Sequence, residues 1–234
     1  PVGEGANLVT IMLNSCNKKT RIIKMNIELN GPNYKPQSDI IENICIFFHG
    51  WGSNGDDLIE LSPILSKYFP RMLFLAPHAP EPCEMNPVGR QWFNIMDREA
   101  GIDGPIGSIE DYIKKIKIAY NIKNEKIFLF GFSQGAMVAL HYGLREIEKY
   151  AGILAFSGSL ISPSRLGEIN NKTPILLVHG KMDEVVPFDE MQKASKKLKE
   201  FDLNVETFTI QTLGHGIDNS GIEMAIKFMK KNYN

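Results

Sequence analysis

The sequence predicts an α/β fold, with a mostly parallel central sheet and helices on both faces. Three observations lead there. Short, wholly apolar runs rich in Ile, Val and Phe recur from residue 43 onward, as expected of strands covered on both faces. Amphipathic stretches with helical periodicity lie between them, so successive strands are joined by crossovers and must run parallel. A chain of 234 residues with 43% hydrophobic content is long enough for one sizeable core.

In chain order, residues 21–29 alternate apolar and polar positions and suit an outer strand, paired with the apolar run at 8–13. Residues 31–39 form a turn-rich connector. The inner strands are expected at 44–48 (ICIFF), 72–76 (MLFLA), 126–130 (KIFLF), 152–156 (GILAF) and 174–178 (PILLV). Helices are expected over 57–69, 108–120, 134–149, 188–201 and 221–231. Over 203–210 the apolar period drops towards two, which marks a strand nearer an edge. Residues 76–108 are proline-rich and lack periodicity, and so long a loop in a compact domain reads as a lid or binding loop.

Composition excludes several functions. With 26 basic and 27 acidic residues the net charge is −1, and the Lys-rich stretches near 196–199 and 230–231 fall on helical segments as solvated faces, so no nucleic-acid partner is expected. Cys16, Cys45 and Cys83 are too few and scattered for a disulfide framework or a metal site, which suits a reducing compartment. No apolar run reaches the ~20 residues needed to span a bilayer. The first residues lack a signal-peptide pattern, so a cytoplasmic protein without stable membrane insertion is expected.

The chemistry centres on residues 129–140, LFGFSQGAMVAL, where Gly131, Ser133 and Gly135 make Gly-x-Ser-x-Gly between a strand and a helix. A nucleophile elbow needs that context. The turn holds Ser in strained geometry, the glycines permit the close strand–helix approach, and the helix start directs its N–H groups towards developing negative charge. The alternative is an ordinary βα turn that happens to carry a serine.

A serine hydroxyl needs a base, and the base needs an orienting acid. In the order Ser, acid, His, each after a strand, the chain offers Asp183 in HGKMDEVVPF (179–188) and His215 in TLGHGID (212–218). His49, His78, His141 and His179 fit less well and read as packing or loop-fixing residues. Glu184 is the nearest rival acid, and Asp189 falls in a helix. After the strand at 44–48, the Gly-rich FFHGWGSNGDDL (47–58) supplies a second backbone donor for an oxyanion hole. Its donors are the N–H of Trp51 and the N–H of Gln134. The loop lacks the patterns of a nucleotide-binding site.

These pieces resemble the phospholipase/carboxylesterase branch of the α/β-hydrolases, which includes acyl-protein thioesterases. HGWGSNGDDL, APHAPEPC, GFSQGAMVAL, HGKMDEVVPF and LGHGI occur in family order from about Met25 to the C-terminus, and GRQWF (89–93) further resembles bacterial esterases of the group. The resemblance implies an α/β-hydrolase domain over 25–234, with residues 1–24 an extension of unclear role and Met25 a candidate natural start. It implies Ser133 as nucleophile, Asp183 as orienter and His215 as base, with no metal or organic cofactor. It also suggests that Trp92 and Phe93 help shape an acyl-binding surface, against a reading as aromatic packing beneath a loop. Where eukaryotic thioesterases of this group show Trp-Phe-Asp, this chain has Asn94.

The expected activity is hydrolysis of carboxylic esters or acyl thioesters of small-molecule or lipid-like substrates. Lysophospholipids, protein thioesters, amides, a perhydrolase reaction and a non-catalytic binding module are the alternatives. A homodimer is not indicated.

Overall fold

A computed structural model describes residues 28–36, 38 and 40–233. The strand expected at 8–13, most of that at 21–29 and the boundary at 24/25 lie outside the described residues.

The central sheet has seven strands: β1 (Asn33–Tyr34), β2 (Asn43–Phe48), β3 (Met72–Leu75), β6 (Ile127–Phe132), β7 (Gly152–Phe156), β8 (Ile175–Gly180) and β9 (Val205–Ile210). Their order is β1-β3-β2-β6-β7-β8-β9. Every pairing is parallel except β1 with β3, so the connector at 31–39 carries a short antiparallel edge strand that its turn residues concealed. Strand order reverses between β2 and β6, and at such a switch point the loops after the two strands diverge and leave a crevice.

Helices cover both faces. One apolar cluster takes Ile44, Ile46 and Phe48 of β2 with α4 (Ile106–Tyr120), α5 (Gln134–Gly143) and α6 (Asp189–Glu200). The other takes Cys45 and Phe47 with α1 (Gly55–Ile59), α2 (Ser62–Ser66) and α7 (Asn219–Lys231). The alternation of residues 44–48 between two cores explains why that strand is apolar at every position. Among the described residues, no helix is long and apolar enough to cross a membrane.

Two helices differ from expectation. The helix expected over 57–69 is split, because Pro63 has no N–H to offer and its ring would strike the carbonyl of Ile59. The helix expected over 134–149 stops at Gly143, whose carbonyl accepts 2.8 Å from Asn171 Nδ2, as does that of Glu146.

Residues 76–108 carry secondary structure of their own. They hold an antiparallel hairpin of β4 (Glu81–Cys83) and β5 (Asn86–Gln91), then a short α3 (Arg98–Gly101). The hairpin lies on the loop after β2. Gly52 N donates to Arg90 O (3.0 Å), Arg90 N to Ser53 O (2.7 Å), and Asn86 Nδ2 to Gly52 O (2.7 Å).

Candidate active site

The turn between β6 and α5 holds Ser133 at φ 54°, ψ −117°, a region that costs a non-glycine residue about 1–3 kcal/mol. Neighbouring backbone sustains it: Ser133 N donates to Phe156 O (2.8 Å), and Ser133 O accepts from Ala136 and Met137. Both flanking glycines are required. A Cβ on Gly131 would lie 2.4 Å from Gly135 O, and one on Gly135 would lie 1.9 Å from Phe48 O.

His215 reaches the serine from the loop after β9. Its Nε2 is 2.9 Å from Ser133 Oγ and its Nδ1 is 2.8 Å from Asp183 Oδ2. A carboxylate only accepts, so Nδ1 carries the hydrogen and the Nε2 lone pair takes the serine hydroxyl. Gly180 makes this meeting possible, since a Cβ there would stand 2.2 Å from Leu213 O and push the two loops apart.

Asp183 has a fully buried side chain. Its Oδ1 accepts from Val185 N and Val186 N, both at 2.9 Å, and His179 Nε2 lies 3.3 Å from Oδ2. Burial pushes its pKa up, but the hydrogen bond from His215 and those from the Val186 and Val185 amides prevail and hold it below the ordinary carboxylate value.

The other histidines are committed elsewhere. His49 donates from Nδ1 to Gly50 O (2.8 Å) and accepts at Nε2 from Ala79 N (2.9 Å); burial pushes its pKa down to about 4. His78 accepts from Gly55 N, His141 contacts Asp103, and His179 donates to Val186 O. Glu184 is exposed and Asp189 begins α6.

The loop after β2 packs against the elbow, and a Cβ on Gly50 would be 3.4 Å from Ser133 Cβ. Among the described residues, the backbone N–H groups of Trp51 and Gln134 donate to nothing. Among the described residues, no group of three or more His, Cys, Asp or Glu side chains is arranged to hold a metal ion.

Trp92 and Phe93, the residues suggested for an acyl-binding surface, are buried beneath the loop after β2. They are 0% and 2% exposed, because the indole packs on Phe48 and His49 and donates from Nε1 to His49 O (2.9 Å). Asn94 Oδ1 accepts from Met96 N in a local turn.

Sequence reasoning missed three contributors. The Gln134 amide is buried and spans Trp92 N (2.9 Å) and Phe93 O (2.7 Å). His179 lies 3.3 Å from Asp183 and donates to the carbonyl of Val186, whose amide binds Asp183 Oδ1, and Phe132 lies against the imidazole of His215 at 4.9 Å. Only His179 carries a signal in sequence, its spacing of four residues from Asp183.

The model of the phospholipase/carboxylesterase family matches residues 32–233. The chain belongs to this family of carboxylic ester hydrolases. It is similar to acyl-protein thioesterase 1 of Saccharomyces cerevisiae, at 30% identity over 87% of this chain and 98% of that protein. Acyl-protein thioesterase 1 homolog 1 of Dictyostelium discoideum is also 30% identical, over 80% and 88%. The solved structure of esterase PE8 shares 34% identity and superposes with a TM-score of 0.85, covering 88% of this chain and 99% of that one. The family member thus has the α/β-hydrolase fold, with its loops gathered at the β2/β6 switch point.

Proposed function

We propose that this hydrolase works through an acyl-enzyme on Ser133. The observation that carries the reading is the continuous line from Asp183 Oδ2 through His215 to Ser133 Oγ, with links of 2.8 and 2.9 Å, ending on a serine in strained backbone geometry. His215 Nε2 takes the Ser133 proton as Oγ attacks the acyl carbonyl. The carbonyl oxygen becomes an oxyanion held by the Trp51 and Gln134 N–H groups. Collapse breaks the bond to the alcohol or thiol, which leaves with the proton from Nε2. Water then repeats the sequence on the acyl-serine and releases the acid. Asp183 fixes the tautomer and stabilises the imidazolium.

The substrate class is a carboxylic ester or acyl thioester of small-molecule or lipid-like character. The relatives' names support thioesters. Met182 and Val185, exposed apolar side chains flanking Asp183–Glu184, offer an acyl chain somewhere to lie. A cytoplasmic location is part of the same reading and is supported by the free thiols of Cys45 and Cys83.

Replacing Ser133 with Ala is expected to abolish hydrolysis of p-nitrophenyl acetate while leaving the melting temperature within a few degrees. Wild-type turnover in that variant would overturn the reading. A panel of p-nitrophenyl esters of rising chain length, beside a palmitoyl thioester, assigns the acyl preference.

A further inference from the structure

We infer that the strip Gln91-Trp92-Phe93 is a brace that holds both oxyanion donors in register, making Gln91, Trp92 and the Gln134 amide positioning residues for the reaction. The inference rests on the reading of Trp51 and Gln134 as those donors. The two N–H groups belong to separate elements, the loop after β2 and the first turn of α5, and catalysis requires them to converge on one oxygen. Donors of this kind must be held within about 0.5 Å of the productive geometry. The loop is poorly suited to doing so alone, since Gly50 and Gly52 flank Trp51 and Gly52 has φ 75°.

The strip ties down every part of that loop. Trp92 Nε1 donates to His49 O, before Trp51 (2.9 Å). Trp51's own indole donates from Nε1 to Gln91 Oε1 (2.9 Å). Arg90, immediately before the strip, pairs with Gly52 and Ser53 after Trp51. The other donor is tied to the same strip, because Gln134 Oε1 accepts from Trp92 N and Gln134 Nε2 donates to Phe93 O. One residue therefore carries an oxyanion donor on its backbone and, on its side chain, the link to the element that fixes the other. A glutamine at the start of a helix ordinarily turns to solvent. This one is 1% exposed, with both amide atoms engaged across the strip.

The test compares Gln134→Met, Trp92→Phe and Gln91→Met with wild type. Each keeps the backbone N–H groups and much of the side-chain volume while deleting brace hydrogen bonds. With rates normalised to sites titrated by a fluorophosphonate, kcat on p-nitrophenyl acetate is expected to fall about 10–100-fold, short of the 10²–10³ that follows outright loss of a donor. KM should stay within about twofold. Affinity for an aryl trifluoromethyl ketone, whose serine adduct bears an oxyanion, should fall by the same factor as kcat/KM.

Variants that match wild type in kcat and ketone affinity overturn the brace. So do losses that vanish on normalisation, the signature of a purely structural role. A wild-type enzyme that binds the ketone no better than the ester overturns the oxyanion reading itself, and that failure is visible before any variant is made.

Discussion

At the scale of single residues, the site depends on how each polar group is satisfied. Asp183 accepts three hydrogen bonds and is held below the ordinary carboxylate pKa, which keeps the hydrogen on His215 Nδ1 and leaves Nε2 free to accept. Asp183→Asn would present an amide N–H to Nδ1 and force the other tautomer. A fall in kcat of about 10³–10⁴ is expected in steady-state ester hydrolysis, with the fold intact by circular dichroism. His49 makes a different prediction. Buried and neutral, with its pKa near 4 against about 6.5 unfolded, it binds its proton more readily in the unfolded chain. Stability should therefore fall as pH drops from about 6.5 to 4, by up to about 3 kcal/mol, and level off below. Urea titrations across that range should show a shallower slope for His49→Gln. The structure brings the side chains of Ser133, Asp183 and His215 together, and their positions just after strands were readable in sequence because strand ends are marked locally. The Gln134 amide was not, since its partners at Trp92 and Phe93 lie about forty residues away in sequence.

At the scale of elements, the elbow works because two glycines let α5 lie almost against β6 and the end of β2. Gly135→Ala would set a Cβ 1.9 Å from Phe48 O, and backbone cannot move aside as a side chain does. A loss of about 3 kcal/mol or more is expected, seen as a melting temperature lowered by roughly 10 °C, with specific activity falling because the α5 start is displaced. The inner strands were visible as short apolar runs, and α4, α6 and α7 as helical periodicity. The β4–β5 hairpin was not, because prolines at 82 and 87 obscure its pattern and its partner is a loop distant in sequence. The helix expected over 57–69 was carried straight through Pro63, and the rule against proline in a helix interior accounts for the break between α1 and α2.

At the scale of the whole molecule, the sheet presents the segments after β2, β6, β8 and β9 on one side, at the ends of parallel strands. A row of aromatic rings crosses it beneath the site: Phe74 stacks on Phe47 at 5.9 Å, Phe47 meets Phe130 at 5.2 Å, and Phe130 stacks on Phe156 at 4.7 Å. These rings join β2 and β6, the strands that lead into the Trp51 loop and the Ser133 turn. Phe130→Ala is expected to cost about 3–5 kcal/mol, lowering the urea midpoint without changing the slope of the transition. The parallel architecture was legible in the alternation of apolar and amphipathic runs. Strand order was not, because residues 44–48 and 126–130 are alike in composition and nothing local says that they lie side by side.

The central claim is that Ser133 forms a covalent acyl-enzyme, and its most direct test is intact-mass and peptide mapping after exposure to a fluorophosphonate. The account predicts one adduct per chain, on Ser133, with loss of esterase activity in step with labelling and no adduct in Ser133→Ala. Full inactivation with the adduct elsewhere, or undiminished activity in fully labelled protein, would contradict it.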